Sequence, residues 1–403
     1  MIWAPLPQRG MRGFLCLPIW QTEHIATIIS VSCWVSLRTN TMATLSRRLV
    51  AGALSGALLM SAVFFTNAAP CAFAEQEKQP RVLADEPFPQ IPVGAPRTGR
   101  QYSPHRSYLR PGCTWDVFGR GLQQCNVYSH AMKRTIPVEI MPAKTPGNPR
   151  IVMALDGYGT NNKNNGFIFG GDLHGHLANY DVTLVAPISG DYAAGTYYTD
   201  YASPLDNGKT IRWETFLVQE LPHYLSQYFR VPVRPHSTAL VGLSMGSVGI
   251  MNLAQRFPER YSAVDSMSGF YTLSAPAQAS SLAMGSALMG YRPRAMWGAW
   301  PSSQWKAHDP ALNIRRYTMP VRVSCGSGKT LTGVEPSPFA VTAEVASHSN
   351  TVVFKKLVEH SSNRSHFTFR IAEKGAHNWA FWFDDLYRRG GYVFLLRHLG
   401  LIR

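Results

Sequence analysis

One short segment constrains the fold of this chain more than any other feature. Residues 237–241 form an apolar strand-like run, Gly242-Leu243-Ser244-Met245-Gly246 follows them, and a helical pattern begins directly afterwards. In a strand-turn-helix bend of this kind the serine occupies a strained tight turn, and its hydroxyl stands clear of the sheet. The two glycines allow the strand and helix backbones to come close together. The segment therefore predicts that Ser244 is a nucleophile.

The remaining sequence alternates strand-like and helical patterns. We predict strands at 138–141, 150–155, 181–187, 237–241, 263–266, 320–325 and 366–371, and helices at 213–229, 247–257, 338–347 and 379–396. Apolar strands interleaved with amphipathic helices indicate the α/β class, with a mostly parallel central sheet and helices on both faces. The composition, 45% hydrophobic and 16% charged, agrees with a packed globular body.

A nucleophilic serine needs a general base and an orienting acid, which in this kind of fold follow in the order Ser, Asp/Glu, His. His377 is the favoured base, because it lies between the last predicted strand and the last predicted helix. The other downstream histidines are typical of surface or packing positions. The residues alone leave the acid open among seven carboxyl groups, namely Glu259, Asp265, Asp309, Glu335, Glu344, Glu359 and Glu373.

Two backbone N–H groups must also meet the oxyanion that develops during acyl transfer. Met245, directly after the nucleophile, supplies the first by its position. Tyr158 is the candidate for the second, because Leu155-Asp156-Gly157-Tyr158 follows an earlier predicted strand. An ordinary turn at Asp156-Gly157 is the alternative interpretation.

The N-terminal region has the pattern of an export signal. Arg47 and Arg48 precede a mostly apolar run at 49–65, and Ala72-Phe73-Ala74 fits a cleavage site. Glycine and serine interrupt the apolar run, which disfavours a membrane anchor. We therefore expect a secreted protein of the cell envelope, without a transmembrane span in its mature form.

This interpretation divides the chain into four parts. We expect residues 1–41 to be an upstream leader that results from a start codon assigned too early, and 42–74 to be the signal peptide. Residues 75–112 are rich in Pro, Arg and Gln and predict an extended N-terminal segment. The catalytic domain is expected to span 113–403.

Charge and cysteine usage restrict the partners. The formal net charge is +15, but the basic residues are scattered and no nucleic-acid motif occurs, so an anionic glycan or lipid surface is the favoured partner. In an oxidising compartment Cys113 and Cys125 predict a disulfide. Cys325, at the end of a strand-like run, predicts a buried thiol. No metal-binding spacing occurs, and no cofactor is expected.

Several ordered motifs resemble the secreted mycolyltransferases of the antigen 85 family, which are α/β-hydrolase-fold acyltransferases of bacteria with mycolic-acid envelopes. The resemblance covers roughly residues 150–390. Its most specific stretch is Trp213-Glu214-Thr215-Phe216-Leu217 with Glu220-Leu221-Pro222. Shorter matches include Gly242-Leu243-Ser244-Met245 and His377-Asn378-Trp379.

The resemblance implies roles for individual residues. It places the nucleophile at Ser244, the base at His377 and the acid at Glu344, and the oxyanion donors on the backbone of Tyr158 and Met245. It also implies that Asp156 and Trp379 hold the sugar of a trehalose ester.

The implied reaction moves a mycolyl or corynomycolyl group from trehalose monomycolate to a second trehalose monomycolate, to cell-wall arabinan or to another hydroxyl acceptor. The envelope glycolipid is then the substrate, and the carrier is a serine ester. A secreted serine esterase is the alternative function. A non-catalytic envelope-binding protein is the second alternative.

Two departures from the family pattern bear on these implications. Gly159 stands where the family has an arginine that grips the sugar, which argues against sugar binding in the family's manner. Residues 204–212 contain no cysteine, so the short disulfide loop of the family is missing, and the pair Cys113 and Cys125 lies elsewhere. Residues 270–300 occupy the place where the family covers its acyl groove. A helical insertion in the core is the alternative interpretation of this stretch.

Overall fold

The computed structural model describes residues 104–403 except 120, 159, 161, 190–194, 206, 289–292 and 332–334. The expected leader, the expected signal peptide and Gly159 therefore lie outside the described residues. Among the residues that are described, no helix is both long enough and apolar enough to cross a membrane.

A nine-stranded sheet forms the centre of the fold, in the order β1-β2-β3-β5-β4-β6-β7-β8-β9. Its strands are β1 Cys113–Trp115, β2 Gln123–Ser129, β3 Arg134–Met141, β4 Ile151–Leu155, β5 Thr183–Pro187, β6 Thr238–Leu243, β7 Tyr261–Met267, β8 Val321–Cys325 and β9 Phe367–Ile371. The pairs from β5 through β4 and β6 to β9 are parallel, and the β1-β2-β3-β5 edge is antiparallel. The predicted α/β class with a mostly parallel sheet is confirmed.

Helices flank the sheet. They are α1 Pro104–Ser107, α2 Gly166–Phe169, α3 Leu173–Leu177, α4 Trp213–Thr215, α5 Leu221–Phe229, α6 Met245–Arg256, α7 Pro276–Leu288, α8 Pro293–Trp297, α9 Ser303–Ala307, α10 Pro338–Glu359, α11 Trp379–Phe383 and α12 Gly391–His398. A π-helical turn at Phe216–Glu220 joins α4 to α5, and a second at Asp384–Arg388 follows α11.

Both faces of the sheet are covered, because every residue of β4, β5 and β8 is buried and all of β6 and β7 except Thr238 and Ser262 is buried as well. On β4, Met153 and Leu155 belong to one hydrophobic cluster, and Val152 and Ala154 belong to another on the opposite face. Successive side chains of a strand point to opposite faces, so a strand buried on both sides reads as a continuous apolar run. That pattern is the one that made β4 recognisable in the sequence.

Two helix predictions are wrong in extent. The helix expected at 379–396 is interrupted, since Gly390 has φ +97° and separates the π turn from α12. The helix expected at 338–347 continues to Glu359. Strands β1 and β2 were not predicted, because β2 alternates buried residues with polar exposed ones instead of forming an apolar run.

The folded body also starts earlier than Cys113. Arg106 is buried, and its guanidinium donates to the carbonyl oxygens of Pro142 and Tyr180 at 2.7 and 2.9 Å. The predicted disulfide between Cys113 and Cys125 is present and ties β1 to β2. Cys325 is a buried free thiol, as expected.

Candidate active site

The bend between β6 and α6 holds Ser244 in a strained backbone conformation. Its φ and ψ are +54° and −118°, outside the regions that residues with a Cβ normally occupy. Gly246 allows the bend, because a Cβ on this residue would lie 1.9 Å from the carbonyl oxygen of Leu155 at the end of β4. The strand and helix backbones therefore approach each other as the sequence pattern predicts.

Ser244, His377 and Glu344 form a continuous row of hydrogen bonds. The Ser244 Oγ lies 2.8 Å from His377 Nε2, and His377 Nδ1 lies 2.8 Å from Glu344 Oε2. Glu344 is completely buried on α10, whereas His377 lies in the loop between β9 and α11. Of the seven carboxyl groups left open by the residues alone, Glu344 is the one that the structure places against His377.

The loop that carries His377 is fixed from two sides. The His377 N–H donates to the carbonyl oxygen of Ala340 on α10 at 3.0 Å. Gly375, with φ +123°, accepts N–H groups of Ser327 and Gly328 from the loop after β8. A Cβ on Gly375 would lie 2.3 Å from the ring of Phe381, so only glycine fits there. The backbone that carries the His377 side chain is thus held by α10 and by the loop after β8.

The loop after β4 lies against Ser244. A Cβ on Gly157 would lie 3.3 Å from the Cβ of Ser244, and Tyr198 donates its hydroxyl to the carbonyl oxygen of Asp156 at 3.1 Å. Tyr158 follows at once, and Met245 is the first residue of α6. Both expected oxyanion donors therefore belong to segments that border Ser244.

Asp156 directly follows β4. Its side chain is fully buried, and its two oxygens accept the N–H groups of Gly157 and Gly166 at 2.8 and 2.5 Å. Burial raises the pKa of this carboxyl to about 6. In this structure the carboxyl braces the loop after β4 against the start of α2, and the implied contact with a sugar stays a prediction.

Trp379 is half-buried beside the base. Its ring contacts Phe167 and Trp382 edge to face, with centroid distances of 5.5 Å to each. Trp382 in turn lies 5.1 Å from the His377 ring. An aromatic wall therefore extends from the base to α2, and its partly exposed member is Trp379.

Two contacts of the acid were missed by the sequence reasoning. The hydroxyl of Ser268 and the N–H of Gly326 both reach Glu344 Oε1, at 2.9 and 2.5 Å. Ser268 directly follows β7 and Gly326 directly follows β8. The carboxyl ends of adjacent parallel strands meet at one edge of the sheet, so this placement was the signal that could have found them.

No arrangement of three or more His, Cys, Asp or Glu side chains suited to a metal ion occurs in the described part of the chain. The chemistry available at this site is that of a serine with a histidine base, in which the hydroxyl forms an ester and the imidazole carries the proton. The other buried carboxyl groups among the seven candidates for the acid have hydrogen-bond partners elsewhere in the core. Asp265, for example, accepts from Arg322 at 2.8 Å.

Comparison with known proteins agrees with this geometry. The family model described as "Putative esterase" matches residues 129–391. The chain is 28% identical to the diacylglycerol acyltransferase/mycolyltransferase Ag85A of Mycobacterium leprae, over 70% of this chain and 84% of that protein. It is 29% identical to Ag85B of Mycolicibacterium smegmatis, over 66% of this chain and 83% of that protein.

Among solved structures, Mycobacterium tuberculosis MPT51 superimposes with a TM-score of 0.57 at 27% identity, over 70% of this chain and 99% of that chain. The sheet order, the bend at Ser244 and the flanking helices are those of the α/β-hydrolase fold. The chain therefore belongs to the esterase family, and it is similar to the mycolyltransferases Ag85A and Ag85B.

Proposed function

We propose that this protein is an exported acyltransferase that moves a mycolyl or corynomycolyl group through an ester on Ser244. The observation that carries the proposal is the row of hydrogen bonds from Ser244 through His377 to the buried Glu344. The acyl class comes from relatives that are named diacylglycerol acyltransferase/mycolyltransferases. The donor is then trehalose monomycolate, and the acceptor is a second such molecule, arabinan or another hydroxyl.

In the first half of the reaction the Ser244 Oγ attacks the acyl carbonyl carbon while His377 Nε2 takes the hydroxyl proton. The oxyanion is stabilised by the N–H groups of Met245 and Tyr158. Glu344 carries the opposite charge beside Nδ1 and stabilises the imidazolium that forms. The C–O bond to the sugar then breaks, and the sugar oxygen takes the proton from His377.

In the second half an acceptor hydroxyl enters the place that the sugar has left. His377 removes its proton, the acceptor oxygen attacks the ester carbon, and the Ser244 oxygen leaves with the proton that His377 returns. Transfer exceeds hydrolysis when a bound acceptor reaches the ester before water does, which depends on binding at the acceptor site. Trp379, at the partly exposed end of the aromatic wall, is the residue that we assign to the sugar.

The proposal includes export. The signal-peptide pattern at 42–74 delivers the protein to the envelope, where a donor of this kind is present. The net charge of +11 that remains without residues 1–74 favours an anionic envelope surface. The disulfide between Cys113 and Cys125 fits an oxidising compartment.

The test is a product assay. Purified protein is incubated with trehalose monomycolate that carries a labelled acyl group, with and without an added arabinan acceptor, and Ser244→Ala serves as the control. We expect labelled trehalose dimycolate or labelled arabinan, and no product from Ser244→Ala. Labelled free acid alone would identify a hydrolase. No product from either protein would favour the non-catalytic envelope-binding role.

A further inference from the structure

A buried serine lies behind the acid of the proposed active site. Ser268 follows β7 with φ +51°, and its N–H donates to the carbonyl oxygen of Ser324 at 2.7 Å. The carbonyl oxygen of Gly269, the residue after Ser268, accepts the hydroxyl of Ser347 on α10 at 3.0 Å. The backbone on both sides of Ser268 is therefore fixed, and the side chain is fully buried.

The hydroxyl of Ser268 has two partners. Its Oγ lies 2.9 Å from Glu344 Oε1 and 3.0 Å from Nε1 of Trp382. An indole N–H can only donate, so it must use a lone pair of the Ser268 oxygen. The hydroxyl proton is then left for the carboxylate. The direction of both hydrogen bonds is thereby determined, from Trp382 to Ser268 and from Ser268 to Glu344.

Trp382 also contacts the base. Its ring meets the His377 ring edge to face, with centroids 5.1 Å apart and planes at 79°. The same indole therefore packs against His377 with its ring and fixes the donor of Glu344 with its N–H. Both partners of the imidazole–carboxylate pair are held by one buried side chain.

We propose that Ser268 and Trp382 are positioning residues that act as one unit on Glu344 and His377, an inference that rests on the proposed function. The Ser268 hydroxyl occupies Oε1 of Glu344 together with the Gly326 N–H. The other oxygen, Oε2, therefore faces His377 Nδ1 and accepts the hydrogen bond of that nitrogen, as an orienting acid must. The indole N–H keeps the serine hydroxyl from rotating away from the carboxylate.

The unit predicts a specific kinetic pattern. Ser268→Ala removes one donor from a buried carboxylate, and we expect kcat to fall roughly tenfold while KM for the ester stays within about twofold. Trp382→Phe keeps an aromatic ring beside His377 but removes the N–H, and we expect about a threefold loss of kcat. The double variant should lose about as much as Ser268→Ala alone, because the two residues act through the same hydroxyl.

The experiment measures kcat and KM with a chromogenic short-chain ester for the full chain and these three variants. Ser266→Ala is the matched control, since Ser266 is a buried serine two positions earlier whose hydroxyl bonds to Tyr271 at 2.9 Å and not to the acid. Its kcat should match the wild type. Thermal unfolding of each variant shows whether it is folded at the assay temperature.

The outcomes separate this inference from the proposed function. A kcat for Ser268→Ala equal to that of Ser266→Ala, or losses that multiply in the double variant, would overturn the inference while an inactive Ser244→Ala left the proposed function intact. Hydrolysis by Ser244→Ala at the wild-type rate would overturn both. If Ser268→Ala does not fold, Trp382→Phe decides the matter: a threefold loss in kcat alone supports the unit, and an unchanged kcat refutes it.

Discussion

At the scale of single residues, the electrostatics of the site depend on Glu344. Its carboxylate is completely buried and its three hydrogen bonds come from His377, Ser268 and Gly326. A buried carboxylate with all of these partners stabilises the positive charge that the imidazole acquires in the transition state. The neutral amide of a glutamine would keep the shape and lose that charge.

We therefore expect Glu344→Gln to lower kcat by about a thousandfold, with little change in KM, because the lost interaction exists chiefly in the transition state. Steady-state kinetics with an ester substrate would measure this. Glu335→Gln is the control, since Glu335 bonds to Thr330 on the surface and not to His377. Retention of more than about a tenth of the wild-type kcat by Glu344→Gln would contradict its assignment as the acid.

Local sequence patterns predict only some residues of the candidate site. Local patterns predict Ser244 as the nucleophile and His377 as the base, namely a bend with two glycines and a loop before the last helix. Glu344 could not be found this way, because α10 brings it to His377 across 33 positions of sequence and no local motif marks it. The resemblance to a known family supplied it. Nor does a sequence reveal exposure, and Asp156, for which the resemblance implies contact with a sugar, is buried in the structure.

At the scale of elements, the close approach of β6, α6 and β4 determines whether Ser244 can adopt its conformation. Gly246 is the contact point, since a Cβ there would overlap the carbonyl oxygen of Leu155. We expect Gly246→Ala to destabilise the fold by at least about 3 kcal/mol, because backbone atoms and not a flexible side chain must move.

Chemical denaturation would measure the free energy of unfolding of Gly246→Ala. Gly147→Ala is the comparison, because Gly147 lies in a turn with φ +83° and has no atom within 4 Å of an added Cβ. That change should cost only about 1 kcal/mol. Equal costs for the two substitutions would show that the contact at Leu155 does not control the bend.

Strand β3 carries a buried carboxyl group, that of Glu139. Its oxygens accept from Asn164 Nδ2 and from the N–H of Asn165 at 2.7 and 2.8 Å, directly before α2. Burial raises the pKa of this carboxyl to about 8. Between pH 4.5, the ordinary pKa of this group, and about pH 8, the carboxyl is protonated in the folded state and ionised in the unfolded state. The group therefore makes the free energy of unfolding fall as the pH rises through that range.

Replacing Glu139 with Gln removes the titration. We expect the wild type to lose more stability than Glu139→Gln between about pH 5 and pH 8, by on the order of 3 kcal/mol. Urea unfolding at both pH values would show the difference. If the two proteins lost the same amount, the raised pKa of Glu139 would be refuted.

The elements also explain the errors in the sequence predictions. The central strands were recognisable because both of their faces are buried. Strands β1 and β2, at one side of the sheet, were not, because one face of β2 carries exposed side chains such as Asn126 and Tyr128. The helix predicted at 379–396 is interrupted at Gly390. The π turn before Gly390 is stabilised by contacts between residues distant in sequence, such as that of buried Asp385 with Arg322, and local patterns do not reveal such contacts.

At the scale of the whole molecule, the parallel order of β4, β6, β7, β8 and β9 brings the functional groups together. Each of these strands ends at the same edge of the sheet, where the loop of Tyr158, Ser244, Ser268, Gly326 and the loop of His377 follow them in turn. The class of the sheet could be predicted from alternating patterns. Its strand order could not, since pairing between distant strands leaves no mark on local periodicity.

In the proposed reaction Ser244 carries the acyl group as an ester, and intact-mass spectrometry detects such an ester. After brief incubation with an acyl donor, we expect the wild-type protein to gain the mass of one acyl group, peptide mapping to place it on Ser244, and Ser244→Ala to gain nothing. An equal mass gain on Ser244→Ala, or turnover of the donor by that variant at the wild-type rate, would show that Ser244 does not carry the acyl group.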